Sequence, residues 1–259
     1  MHQDFKYLRL SIPSGGIAQV ALARPPVNAM NFAMRSEITA AFSMLGERND
    51  VGAVILTGDG KMFSAGADLT DRPDTSRPGA YTDHNRNVRE CFNAVLECPK
   101  PVIAAINGPA IGAGLVLATC CDILLASAEA WVAMPEVEVG LAGGPRHILR
   151  HFPQSDARLM MFTARRVPAS ELFRLNVISA SLPRDELLAA AQDIASQITA
   201  NSPAAVEAAK RSFILGEELP LHSGYRNEQL FTRELAKGPD FAEAQAAFRE
   251  KRKPVFRKP

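Results

Sequence analysis

Pro101-Val102-Ile103-Ala104-Ala105-Ile106-Asn107-Gly108-Pro109-Ala110-Ile111-Gly112-Ala113-Gly114-Leu115 passes from an apolar, β-branched run straight into a turn of small residues. The same pattern stands upstream, where Val51-Gly52-Ala53-Val54-Ile55-Leu56-Thr57 leads to Phe63-Ser64-Ala65-Gly66-Ala67-Asp68-Leu69. Each reads as a strand ending in a tight glycine turn. Such turns leave backbone N–H groups free and admit a ligand closely. Two of them aimed at one point can hold a carbonyl oxygen as it gains negative charge.

Outward from these turns, Tyr7–Ile12 and Ile17–Leu22 alternate on either side of Ser14-Gly15-Gly16, the signal of a hairpin. Phe32 to Arg48 carries Ile38, Phe42 and Leu45 at helical spacing. Residues 70–82 are polar and hold Pro73, Pro78 and Gly79, so they read as a loop, with a helix from Asn87 to Leu96. A helix from about Gly112 to Cys120 and short strands at 122–126 and 131–134 follow. Strand, turn and helix in repetition predict a mainly parallel α/β core. Beyond Pro153 the chain reads as almost wholly helical, with Ser202-Pro203 as a helix start. We divide it into a core over 1–200 and a C-terminal helical region over 201–259.

The chain has 259 residues, 47% of them hydrophobic, and a net charge of +1. Such balance gives no support for a nucleic-acid or anionic-membrane partner. No apolar run is long enough to span a bilayer, and Met1-His2-Gln3-Asp4-Phe5-Lys6 lacks the features of a leader, so a cytoplasmic location is expected. The four cysteines, Cys91, Cys98, Cys120 and Cys121, have no metal-ligand spacing and read as buried thiols.

The ordered set of motifs resembles the crotonase, or enoyl-CoA hydratase/isomerase, superfamily. It comprises Arg24-Pro25…Asn28-Ala29, Phe63–Asp68, Pro99–Gly108, Cys121-Asp122-Ile123, Pro135–Leu141, Thr163–Arg166 with Ala169-Ser170-Glu171, and Ala247–Arg252. The resemblance implies a crotonase-like ββα spiral with a C-terminal trimerisation region, as a homotrimer or a dimer of trimers. It also implies an acyl-CoA substrate with no separate cofactor. The N–H groups of Ala67 and Ala113 would form the oxyanion hole, worth roughly 3 kcal/mol each. Glu136 would be the acid/base. Arg24, Ala65, Gly66, Asp68, Leu69, Gly112 and Val116 would contact CoA or substrate, together with Phe248 and Lys251 from the C-terminal segment.

Two departures stand out. Val116 occupies the position where hydratases carry a second Glu, and valine can neither hold water nor move a proton. A proton shift needs one carboxylate, so the chemistry leans towards isomerisation. A hydratase with a substitute water-holding residue and a non-catalytic CoA-binding protein are the alternatives. The loop Val139–His147 also looks short. Glu138 is the reserve base, on the same side as Glu136 if that segment is extended, and His147 is a second candidate acid/base. Tyr81, His84 and Asn85 are in reach of an acyl group. A serine peptidase of broadly similar fold would need a Ser-His-Asp set, and no Gly-x-Ser-x-Gly surrounds Ser64.

Overall fold

The computed structural model describes residues 4–13 and 15–256. Met1–Gln3 and Ser14, on which the leader and turn expectations partly rest, lie outside the described residues. The hairpin forms: β1 (Leu8–Ser11) pairs antiparallel with β2 (Ile17–Leu22). Helix α1 (Phe32–Glu47) starts at Asn31, whose side chain accepts from the Met34 N–H. Then come β3 (Ala53–Gly58), α2 (Ala80–Leu96), β4 (Val102–Ile106), the short β5 (Ala110–Ile111) and α3 (Ala113–Thr119). β6 (Ile123–Ser127) and β7 (Trp131–Ala133) lead into a 3-10 turn over Pro135–Val139. α4 (Pro145–Ile148), α5 (Gln154–Thr163), β8 (Val167–Pro168), α6 (Ala169–Arg174) and β9 (Ala180–Leu182) follow. The chain closes with α7 (Leu187–Thr199), α8 (Pro203–Gly216), α9 (Leu221–Leu235) and α10 (Pro239–Arg249).

The main sheet has six strands in the order β1-β2-β3-β4-β6-β9, parallel from β2 onward. Period-two alternation sends Val54, Leu56, Val102, Ala104, Leu124 and Ala126 into the principal core with α1, α2 and α3. Ala53, Ile55, Ile103, Ala105 and Leu125 face the other way, against Leu187, Ala191 and Ala195 of α7. Both faces are covered, which is why these strands read as continuous apolar runs. A second, three-stranded sheet, β5-β7-β8, carries the second glycine turn, and a bridge from Ser64 to Ala110 ties the first turn to its edge.

Two expectations need correction. Helix α2 begins at Ala80, seven residues before Asn87. Its first turns are solvent-exposed and therefore polar, and their composition hides the helix. The region beyond Pro153, expected to be almost wholly helical, also holds the short β8 and β9, and β9 adds an edge strand to the main sheet beside β6. Three residues are too few to display alternation.

Helix α8 docks on the core through buried cations. Lys210 on α8 meets Asp122 at 2.8 Å and donates to the Lys100 carbonyl at 3.0 Å, while Lys100 pairs with Glu207. All four cysteines are free and buried, and burial pushes their thiols up.

Candidate active site

Strand pairing brings the two glycine turns and Glu136 together. Ala110 and Ile111 of β5 pair in parallel with Val132 and Ala133 of β7. Both strands stop at the same level, so Gly112-Ala113 emerges beside Met134-Pro135-Glu136. Gly112 N–H donates to the Ala133 carbonyl at 2.9 Å, fixing that level. On the other side of β5, Ser64 bridges Ala110, and Ala67 bridges Met30. The row of neighbours therefore sets the first turn against the second.

The contact is close enough to demand glycine. A Cβ on Gly66, whose φ is +89°, would fall 2.5 Å from the Ile111 carbonyl oxygen and 3.3 Å from the Ala113 nitrogen. A Cβ on Gly112, at φ +52°, would fall 2.6 Å from Oε1 of Glu136. Ala113 is the first residue of α3, so its N–H has no partner within the helix and carries the positive end of the dipole. The bonds that tie Ala67 to its neighbour use other atoms: Met30 N–H donates to the Gly66 carbonyl at 2.7 Å, and Asp68 N–H to the Met30 carbonyl at 3.1 Å. Neither Ala67 N–H nor Ala113 N–H meets an acceptor among the described residues.

Glu136 lies on the 3-10 turn, half-buried. Its Oε2 is buried and has no hydrogen-bond partner. Burial holds its carboxyl above the usual carboxylate range. An unpaired buried carboxylate oxygen is costly to fold, and this one stands beside the N-terminus of α3. Glu138 does not join it. A 3-10 turn places residues two apart on different sides, and Glu138 is exposed, so the shared-face expectation is corrected.

Val116, 3% exposed, lies under the backbone of Gly144, where a Cβ would fall 2.6 Å from Val116 Cγ2 and 2.9 Å from Met134 Cε. Hydrocarbon therefore fills this position. His147, on α4, sets its ring edge-on to Phe92 with centroids 5.5 Å apart. Burial, then Arg150 and Arg146, lower its pKa, leaving a neutral imidazole at pH 7.

Arg24 and Asp68 form an ion pair at 2.7 Å, and Arg24 also donates to the Ala29 carbonyl at 2.8 Å. Hydrogen bonds from Thr70, then Arg24, hold the Asp68 carboxyl below its usual range. Ala65 N–H donates to the Val27 carbonyl at 2.9 Å, which fixes the start of the turn. Ser64 Oγ is fully buried and donates to the Asn28 carbonyl at 2.7 Å, which removes it as a nucleophile. Leu69, Arg72, Tyr81, Val139 and Leu141 line a cleft of about 350 Å³ beside the turns. A roomier cavity, about 680 Å³, lies between α8 and α9 and contains neither glycine turn nor Glu136. Phe248, 87% exposed, lies in the last turn of α10 and Lys251 just past its end, and the ion pairs there run from Arg252 to Glu243 and Glu250. The Gly144 contact and the orphaned Oε2 carried no signal in the sequence, since both depend on distant segments meeting.

A spiral α/β core with two apposed turns of free amides and one buried carboxylate defines a crotonase-fold protein. The chain belongs to the enoyl-CoA hydratase/isomerase family, whose model matches residues 13–259. It is 36% identical over 223 residues to the (7aS)-7a-methyl-1,5-dioxo-2,3,5,6,7,7a-hexahydro-1H-indene-carboxyl-CoA hydrolase of Mycobacterium tuberculosis, covering 86% of this chain and 90% of that one. It is 34% identical over 257 residues to the human mitochondrial Delta(3,5)-Delta(2,4)-dienoyl-CoA isomerase, covering 90% and 78%. A crystal structure of an enoyl-CoA hydratase from Bacillus anthracis superposes with a TM-score of 0.92 at 28% identity, covering 98% of this chain and all of that one. The protein is thus an acyl-CoA enzyme of this family.

Proposed function

We propose that the enzyme catalyses a proton shift on an enoyl-CoA, with Glu136 as its single acid/base. The observation that carries this is the pairing of an unpartnered Glu136 Oε2 with a Val116 sealed beneath Gly144. The Glu136 carboxylate removes a proton from the carbon chain. The electron pair moves to the thioester oxygen, giving an enolate held by the N–H groups of Ala67 and Ala113. The same carboxyl returns the proton at a second carbon, and the double bond has moved with no atom gained or lost. The raised pKa of Glu136 suits a group that must both take and give a proton. Gly112 fixes the Glu136 carboxyl, and Val116 and Leu69 border the acyl group. Arg24, Ala65, Gly66 and Asp68 serve the nucleotide side of CoA, as do Phe248 and Lys251 of a neighbouring subunit in a homotrimer or dimer of trimers. The exposed Phe213 on α8, 77% accessible beside the cavity between α8 and α9, supports an assembly through region 201–259.

A panel of 2-enoyl- and 3-enoyl-CoA substrates in H₂O and D₂O tests the reaction. The expected result is isomerisation with deuterium entering the chain. Clean formation of 3-hydroxyacyl-CoA would overturn it in favour of hydration, and release of a new carboxylate would favour hydrolysis. Light scattering on eluted protein tests the assembly, and a monomer would rule it out.

A further inference from the structure

Arg35 sits on α1 with its side chain 3% exposed, and two of its three side-chain hydrogen-bond partners, Met30 and Asp71, flank the first glycine turn, while the third, Asn87, is on α2. Nη1 donates to the Met30 carbonyl at 2.8 Å, Nε to Asn87 Oδ1 at 2.6 Å, and Nη2 to Asp71 Oδ2 at 3.3 Å. The Met30 carbonyl also accepts from Asp68 N–H, and Met30 N–H donates to the Gly66 carbonyl, so these two bonds straddle Ala67. Asp71 closes the circuit. Its N–H donates to the Asp68 carbonyl at 3.2 Å, and its Oδ2 accepts from Phe32 N–H as well as from Arg35. A ring of bonds runs from Met30 through Arg35 and Asp71 to Asp68 and back. Ala67 is on the segment this ring fixes, and its own N–H is left unbonded. Burying a guanidinium is expensive unless its donors are matched. The core face of α1, which also carries Ile38 and Phe42, has no packing need for one.

We infer that Arg35 is a positioning residue for the Ala67 N–H. It holds the Met30–Ala67 pairing at the register that aims this donor at the thioester oxygen, a role that rests on the oxyanion reading proposed above. An aim error of about 1 Å at such a donor costs on the order of 100-fold in rate.

The test compares wild type with Arg35→Met, Arg35→Lys and Asn87→Ala, each checked by thermal melting. Three quantities are read: deuterium exchange at the chain, affinity for a saturated acyl-CoA, and affinity for a CoA analogue bearing an ionised nitronate in place of the enolate. Arg35→Met is expected to lose about 100-fold in exchange and in nitronate affinity, while saturated acyl-CoA affinity stays within about threefold. Arg35→Lys recovers part of the loss, because an ammonium still donates to the Met30 carbonyl. If Arg35→Met does not fold, Asn87→Ala carries the test, with the same selective pattern at smaller size. Equal loss of both affinities, or unchanged exchange in a folded variant, overturns the inference. Absence of exchange in the wild type overturns the proposed reaction, and this role with it.

Discussion

Gly112→Ala separates the position of Glu136 from its mere presence. The backbone there has φ +52° and ψ −121°, a conformation that glycine adopts freely and alanine resists. Holding a non-glycine residue in such a region costs roughly 1–3 kcal/mol, and each kcal/mol lowers Tm by about 2–4 °C in a chain of this size. The new methyl would sit 2.6 Å from Glu136 Oε1, and ordinary contact begins at 3.4 Å, so the oxygen must withdraw by about 0.8 Å. A carboxyl is the far end of a flexible side chain, so this withdrawal costs little stability. It costs alignment instead, on the order of 100-fold in kcat. The expected result is a Tm lower by several degrees, kcat down about 100-fold per folded molecule, and KM changed only a few-fold. Steady-state isomerisation with a calorimetric melt measures all three. In a Glu136→Gln background the alanine should add no further loss of activity. A Gly112→Ala enzyme that melts lower but turns over at the wild-type rate would refute the assignment of Glu136 as the group that moves the proton.

Glu136→Gln should abolish exchange while keeping CoA affinity. Its stability effect has a definite sign: the native carboxyl titrates above the ordinary 4.5, so wild-type stability falls as pH rises from 4.5 through the raised value. The amide variant should therefore melt as high or higher at pH 8, with no advantage below pH 4.5, and a variant that melts lower at pH 8 would contradict the burial cost. Val116→Glu should bring measurable 3-hydroxyacyl-CoA formation at an overpacking cost of roughly 1–3 kcal/mol; a folded variant with no hydration product removes Val116 as the block. Lys210→Met should destabilise by roughly 3–5 kcal/mol in denaturant titration, because it strips a buried partner from Asp122. Arg48→Ala, which breaks an exposed pair with Asp50, should change stability by less than about 1 kcal/mol.

Much of the fold was readable because its physics is local. The continuous apolar runs Val54-Ile55-Leu56 and Val102-Ile103-Ala104 announced strands, and such runs belong to strands buried on both faces. Ser202 announced a helix start through its capping oxygen, and Ile38, Phe42 and Leu45 announced α1 through their spacing. The start of α2 was hidden because an exposed first turn carries the same polar residues as a loop, and β9 was hidden by its length. Glu136 stood out only through its motif. Its partner Glu138 misled because an extended geometry was assumed. Pro135 at the start and Gly140, at φ +70°, close a 3-10 turn there instead. Arg35 gave no sign at all. An arginine within a helix reads as surface, and only the meeting of α1, α2 and the 68–71 segment reveals what it binds.

The three-stranded sheet has a consequence for how such a protein changes. Glu136 and Ala113 are levelled by the pairing of β5 with β7, and the first glycine turn is tied to that sheet by the bridge from Ser64 to Ala110. The cleft beside them is walled by Leu69, Arg72, Tyr81 and Leu141, from segments outside that ladder. Chemistry and selection are thereby mechanically uncoupled. On the proposed reaction, substitutions in the walls can accumulate and retune which acyl group enters, while the floor assigned to the enolate keeps its geometry.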